Sequence, residues 1–341
     1  MSSSWKIGAV SGLMAGIVLG VFVEFFNQIT VSVGLFETWW RPISTNNLHI
    51  NIVLGIIFGV ILGIIYSKVY NLIPRRGIVN GLIYGLIIYF LNTVRIEFFN
   101  IAYGRYLALL GSYFSGIFVW LSFGIVLGIV YDKLKYGGKY PVKEETKIIT
   151  YDMKSGLLPG AIAGAIGGIA AAITVVYGTS TGLYPLPDAP KTFTIDFFLN
   201  QAATHVFINM IWGAVFGAIF AKIYNLVPGK GVLKGLCHGL IMYLITSFQI
   251  GVWWTAWAVY HGSQLLTATM VYGLFVVGSV NMVVFGLVLG LLYRKPETPA
   301  IKKEKIRTVE MVNCIHCGAS IPKGSKHCNE CGKKQAPIKT E

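Results

Sequence analysis

Charge is what this chain has least of: only 12% of its 341 residues are charged, and Asp plus Glu together number 14. With 55% hydrophobic residues and a mean hydropathy of +0.65, that scarcity excludes a soluble cytosolic enzyme and a disordered chain as whole-chain readings. Cysteine is equally sparse, five in all and four of them within the last 28 residues, which excludes a disulfide-rich secreted module. No Gly-x-Gly-x-x-Gly follows a strand pattern, so no phosphate-binding glycine loop is expected. His205, His238 and His261 have no His-x-x-x-His or Glu partner spacing, and a convergent catalytic set is missing. The expectation is a non-enzymatic protein.

What is present is length of apolar run. Eight segments, near 7–27, 50–70, 78–97, 112–131, 156–177, 204–224, 235–257 and 268–293, reach the ~20 residues that a bilayer-crossing helix requires. The net charge of +14 invites a nucleic-acid partner, but its distribution argues for orientation instead. With the N-terminus in the cytoplasm, 24 of the 28 Lys and Arg fall on the inner side, and only Arg41, Arg95, Arg105 and Lys191 lie at or near the outer side. Both termini are therefore expected in the cytoplasm of a multi-pass cell-membrane protein, with anionic lipid headgroups available to the basic loops.

The apolar segments repeat. Gly8, Gly12, Gly16 and Gly20 recur 148 positions later as Gly156, Gly160, Gly164 and Gly168, which argues against a cleaved leader at the N-terminus. Tyr70-Asn71-Leu72-Ile73-Pro74-Arg75-Arg76-Gly77 matches Tyr224-Asn225-Leu226-Val227-Pro228-Gly229-Lys230-Gly231 at a shift of 154. Phe123-Gly124-Ile125-Val126-Leu127-Gly128 returns as Phe285-Gly286-Leu287-Val288-Leu289-Gly290 at a shift of 162. The expected fold is all-α and polytopic: two parallel four-helix repeats, 1–135 and 155–295, joined by a cytosolic linker, 136–154. A basic linker, 296–312, leads to a small C-terminal module, 313–334. Glycines every four residues expose backbone for close helix contact, either inside the chain or between copies in a homo-oligomer. The turns at Pro74–Gly77 and Pro228–Gly231 read as helical-hairpin turns, with a phosphate or lipid-headgroup site as the functional alternative.

Ionisable residues inside the spans are where function is sought first, because hydrocarbon penalises them by roughly 2.5 to 3.5 kcal/mol even on the lenient scale. Glu24 and Arg95 each lie roughly 26 Å along their helices from the inner end, so an ion pair between them is geometrically allowed, with Glu97 as competitor. Asn92, His205, Asn209 and Gln249 share that depth, and the group forms a candidate polar vestibule opening outward; snorkelling at the outer interface is the structural alternative. The set is lopsided, since Ala172 stands where Glu24 would repeat. Trp39-Trp40-Arg41-Pro42 and the Trp253, Trp254, Trp257 group read as an aromatic belt at the headgroups.

The end of the chain differs in kind: Cys314-Ile315-His316-Cys317-Gly318, nine residues, then Cys328-Asn329-Glu330-Cys331-Gly332. Two Cys-x-x-Cys pairs can present four thiolates to one ion, a closed tetrahedral Zn2+ shell with no position for substrate. Disulfide pairing is the competing reading, disfavoured in a reducing cytoplasm, and His316 or His327 could replace a ligand. Cys237, alone in a span, reads as a small apolar group. Residues 313–332 resemble the short zinc-ribbon domains found at the ends of many prokaryotic membrane proteins, sharing Cys-x-x-Cys-Gly-x-x-Ile-Pro followed by Cys-x-x-Cys-Gly. The resemblance implies a two-knuckle β-hairpin with Cys314, Cys317, Cys328 and Cys331 as zinc ligands.

Two functions follow as expectations. One is a membrane protein whose zinc ribbon is a docking or assembly module for a cytosolic protein, with nucleic acid the less favoured partner. The other is a channel or transporter for a small solute, its path running between the two repeats.

Overall fold

The computed structural model describes residues 4–34, 47–95, 98, 106–137, 152–185, 190 and 192–294, together with 311–314, 316–318, 320–322, 327 and 331–334 near the C-terminus. Arg41, the Trp39–Trp40 pair, Glu97, Asn100, Arg105, Lys191, Cys328 and the greater part of both linkers lie outside the described residues. The chain forms two compact units, 1–294 and 295–341.

The first unit is helical. In chain order its helices are α1 (Ser4–Ser32), α2 (Leu48–Val69), α3 (Gly77–Tyr89), α4 (Tyr106–Tyr136), α5 (Lys154–Ser180), α6 (Ile195–Ile223), α7 (Gly231–Tyr243), α8 (Gln249–Tyr260), α9 (Gln264–Met270) and α10 (Gly278–Leu292). Wider π-helical turns follow α3 at Phe90–Val94, join α7 to α8 at Leu244–Phe248, and join α9 to α10 at Val271–Val277. Among the described residues, eight continuous helical stretches are long and apolar enough to cross a membrane, the make-up of a multi-pass membrane protein. Helix is what such sequence must form there, because lipid offers no partner to a backbone N–H or C=O. Several stretches run beyond the apolar core read from hydropathy, as in Ile195–Leu226 against 204–224.

Glycine sets how the helices pair. A Cβ built on Gly8, Gly12, Gly16 or Gly20 of α1 would collide with the backbone carbonyl of Gly63, Gly59, Gly55 or Asn51 of antiparallel α2. Along α5 the same holds for Gly156, Gly160, Gly164 and Gly168 against Gly217, Gly213, Asn209 and His205 of α6. Gly81 meets Gly124 between α3 and α4, and Gly235 meets Gly286 between α7 and α10. These faces are occupied by neighbouring helices of the same chain, where close backbone approach maximises dispersion contacts. Large side chains fill the layers between, with Leu19, Phe58, Tyr66, Phe123, Trp212, Phe216 and Phe285 almost wholly buried.

Both hairpin turns begin with a tightened 3-10 turn, Tyr70–Leu72 and Tyr224–Leu226, and reverse through left-handed backbone. Gly77 (φ 56°) and Gly231 (φ 49°) take that conformation freely, as does Gly229 (φ 90°). Arg75 occupies the place of Gly229 with φ 72°, strained for a residue bearing a Cβ, and its carbonyl is held by Asn80 Nδ2 at 3.2 Å.

In the second unit, β1 (Met311–Asn313) and β2 (Ser320–Pro322) pair antiparallel with Val312 opposite Ile321, and His327 bridges to Lys334.

Candidate functional site: a buried polar seam and a thiol cluster

The six described members of the predicted vestibule are all buried: Glu24, Asn92 and Arg95 at 5% exposure, His205 at 7%, Asn209 and Gln249 at 3%. Side chains reaching for headgroups would be exposed at their tips, so snorkelling does not describe them. Nor do they form one group. Glu24 is the hub of one network: Oε1 accepts from Gln28 Nε2 at 2.7 Å, and Oε2 accepts from Asn51 Nδ2 at 2.9 Å and the Asn47 backbone N–H at 3.2 Å. Donating its amide to the carboxylate fixes the orientation of Asn51, whose Oδ1 then accepts from Trp253 Nε1 at 2.7 Å and Trp257 Nε1 at 3.0 Å. Asn47 Oδ1 and His261 Nε2 lie 3.2 Å apart on the same side.

A second network sits where the two π-helical turns, 90–94 and 244–248, touch. Asn92 Nδ2 donates to the Ile245 carbonyl at 3.0 Å and to Gln249 Oε1 at 3.2 Å, while Arg95 Nη1 donates to Ser247 Oγ at 3.2 Å. Asn209 donates its amide to the His205 carbonyl at 2.8 Å, and its Oδ1 accepts from Asn281 Nδ2 at 2.7 Å between α6 and α10.

Two sequence expectations are corrected. Glu24 and Arg95 do not pair: equal depth places them in one layer, but the carboxylate faces α2 and the guanidinium faces the turn before α8. Trp253 and Trp257 are not belt residues, being 8% and 4% exposed and tied to Asn51. Trp254 is half-buried and meets Trp257 edge-on at 4.8 Å. Asn51 escaped the sequence reading although its signal was there: it continues the four-residue spacing of Gly63, Gly59 and Gly55, a polar residue on a glycine line. Replacing it by leucine strands two buried indole donors and removes a donor from Glu24. Each orphaned group is worth about 1 to 3 kcal/mol. N51L should therefore lower the melting temperature in detergent by many degrees and red-shift tryptophan emission, whereas W257F, which removes the unsatisfied donor together with its bond, should have a small effect.

At the opposite ends of these helices, Asp132 was also missed. Its Oδ1 accepts from Tyr70 Oη at 2.6 Å and its Oδ2 from the Gly77 N–H at 2.6 Å, at only 2% exposure. A carboxylate thus already occupies the positive N-terminus of α3, which removes the phosphate reading of the first turn. Lys135 Nζ lies 4.4 Å from the Tyr70 ring centroid and so caps the same cluster. In the second turn Lys234 takes the part of Asn80, with Nζ donating to the Tyr224 carbonyl at 2.8 Å.

In the second unit, the sulfurs of Cys314, Cys317 and Cys331 lie within 4.8 Å of one another, a cluster able to hold a metal ion. Cys314 Sγ and Cys331 Sγ are 3.8 Å apart, far beyond a disulfide bond. Two thiolates on a tetrahedral ion with metal–sulfur bonds of about 2.3 Å would be separated by about 3.8 Å, so the spacing fits such a shell. The His316 N–H approaches Cys314 Sγ at 3.4 Å, while Gly318, at φ 73°, donates its N–H to the Cys314 carbonyl at 2.9 Å. The glycine after the pair is thus required by left-handed backbone, and the N–H that meets sulfur comes from the residue between the cysteines. His316 Nε2 lies 3.2 Å from the Lys334 carbonyl, and His316 does not join the group of three sulfurs. Cys237 is half-buried against the helical core.

Compared with protein-family models, curated proteins and solved structures, the chain matches none.

Proposed function

We propose that the chain is a non-enzymatic cell-membrane protein, built from two parallel four-helix repeats, whose C-terminal segment folds around Zn2+ and serves as a cytosolic docking or assembly module. The observation that carries this reading is the convergence of Cys314, Cys317 and Cys331 on a short hairpin. A shell of thiolates, completed by Cys328, leaves the ion no open position, so the metal acts by ordering a recognition surface. The repeat assignment is supported by matched pairings: α1 with α2 and α5 with α6 along glycines, α3 with α4 and α7 with α10 likewise. The positive-inside distribution supports cytoplasmic termini. A photo-crosslinking residue in place of the exposed Asn313 tests the docking role in cells. The reading expects one defined cytosolic protein adduct that disappears in C314S; adducts unchanged by C314S, or an extracellular reagent labelling Cys314 in intact cells, would refute it.

A second reading is favoured by a separate observation, the polar rather than apolar contact between Asn92 and Gln249 and between Arg95 and Ser247. It makes the protein a channel or transporter for a small solute, with its path between the repeats. Uptake or conductance in liposomes, measured with and without residues 296–341, tests it. Flux that persists without the tail supports the path, and absence of flux in both forms removes it.

A further inference from the structure

We propose that Arg95, held by Ser247, is the binding group of a small-anion site at the seam between the two halves of the membrane bundle. This deepens the second reading by naming the chemical class of its solute. A guanidinium stays protonated in proteins, and a buried cation without a counter-charge is strongly unfavourable. Arg95 is 5% exposed and donates to a neutral hydroxyl, and among the described residues its Nε has no hydrogen-bond partner. Among the described residues no carboxylate pairs with it, since Glu24 is held by Gln28, Asn47 and Asn51.

The surroundings point the same way. Trp212, 2% exposed, packs its ring against Phe90 and Phe98, which flank Arg95 along the chain, at centroid distances of 4.9 and 6.0 Å. Its Nε1–H also has no acceptor among the described residues. The Asn92 amide donates to both Gln249 Oε1 and the Ile245 carbonyl, which binds the two turns to each other. Two buried N–H groups, Arg95 Nε and Trp212 Nε1, are thus without an acceptor among the described residues, and one of them carries a charge, the complement of a halide or a small carboxylate. It lies where two π-helical turns meet, and such turns recur at functional sites because they free backbone from the regular ladder.

The test uses the full chain in detergent micelles, with sodium constant and bulky gluconate as the reference anion. Chloride and bromide form one arm and formate and acetate the other, which separates a site for bulk halide from one for a carboxylated solute. A ligand that binds only the folded state raises the melting temperature by mass action, so a saturable rise is expected in at least one arm. R95Q should abolish the rise. S247A should weaken half-saturation by about tenfold, the loss of one charge-assisted hydrogen bond. Where R95Q does not fold, R95K and S247A decide: both shift half-saturation if the site exists. Absence of any anion dependence in the wild type, or dependence retained in R95Q or unshifted in R95K and S247A, overturns the proposal. An insensitive wild type with a sensitive E97Q does so too, by identifying Glu97 as an internal counter-charge. Anion binding without flux in liposomes would leave the site standing and remove only the solute path.

Discussion

Gly12→Ala is expected to destabilise the membrane unit by about 3 kcal/mol or more, the upper end of what overpacking does in a close-packed interior. The reason lies in what the new methyl group meets. A Cβ on Gly12 would fall on the Gly59 carbonyl oxygen and carbon and within 3.0 Å of Gly63 Cα, all backbone atoms of α2 that no rotamer change can move. Relief requires the whole helix to withdraw. Withdrawal would also open the contacts of Gly8 with Gly63 and of Gly16 with Gly55, because the three pairs share one antiparallel line. Gly116→Ala is the control. Its Cβ would lie 2.9 Å from Thr93 Cγ2 and Oγ1 and 3.2 Å from Tyr89 Cε2, side-chain atoms that can rotate away, so the change should stay near 1 kcal/mol. Unfolding by SDS in mixed micelles, followed by circular dichroism, ranks the two variants. A Gly12→Ala midpoint equal to that of the wild type would mean that α1 and α2 are not held by backbone contact. Gly160→Ala, against Gly213 and Gly217 of α6, should reproduce the Gly12 result in the second half.

The contrast explains which parts of the molecule could be read from sequence. Apolar length is a property of one segment, so the eight helices among the described residues that are long and apolar enough to cross a membrane were countable from hydropathy alone. A four-residue glycine spacing is also local, but its partner is not: nothing in the chain says that Gly12 meets Gly59 rather than another line of glycines. The polar residues failed in a related way. Depth along a helix follows from residue count, which placed Glu24 and Arg95 in one layer, whereas rotation about the axis chooses the neighbour and sent one to Asn51 and the other to Ser247. Trp253 and Trp257 looked like a belt because tryptophan near a span end usually is one; a single buried amide oxygen on α2 drew both inward. The π-helical turns at 90–94 and 244–248 occupy matched positions in the repeated sequence yet carry no compositional mark. In the tail the cysteine spacing carried nearly all the information, since two Cys-x-x-Cys pairs so close in the chain can bring four thiolates to one ion.

Removing the metal should therefore have the largest effect in the C-terminal unit. Its two three-residue strands cannot bury a core, and structural zinc in comparable small modules contributes an apparent binding free energy of about 10 to 16 kcal/mol. Full-length protein purified without chelator is expected to carry one zinc per chain by elemental analysis, bound through thiolates with metal–sulfur distances of about 2.3 Å by X-ray absorption. Stripping the ion should bring amide exchange across Met311–Asn313 and Ser320–Pro322 to the rate of an unfolded peptide, and adding zinc back should restore protection. Among variants, C314S and C331S should lose the ion outright, because their sulfurs sit 3.8 Å apart at the centre of the cluster. C328S distinguishes a four-thiolate shell from a three-thiolate one: equal loss makes Cys328 the fourth ligand, and full retention gives that place to another donor. H316A should keep the ion, since neither ring nitrogen of His316 joins the group formed by the three sulfurs. Loss of zinc in H316A with retention in C328S would replace the four-cysteine shell by a mixed one and with it the resemblance on which the shell was drawn.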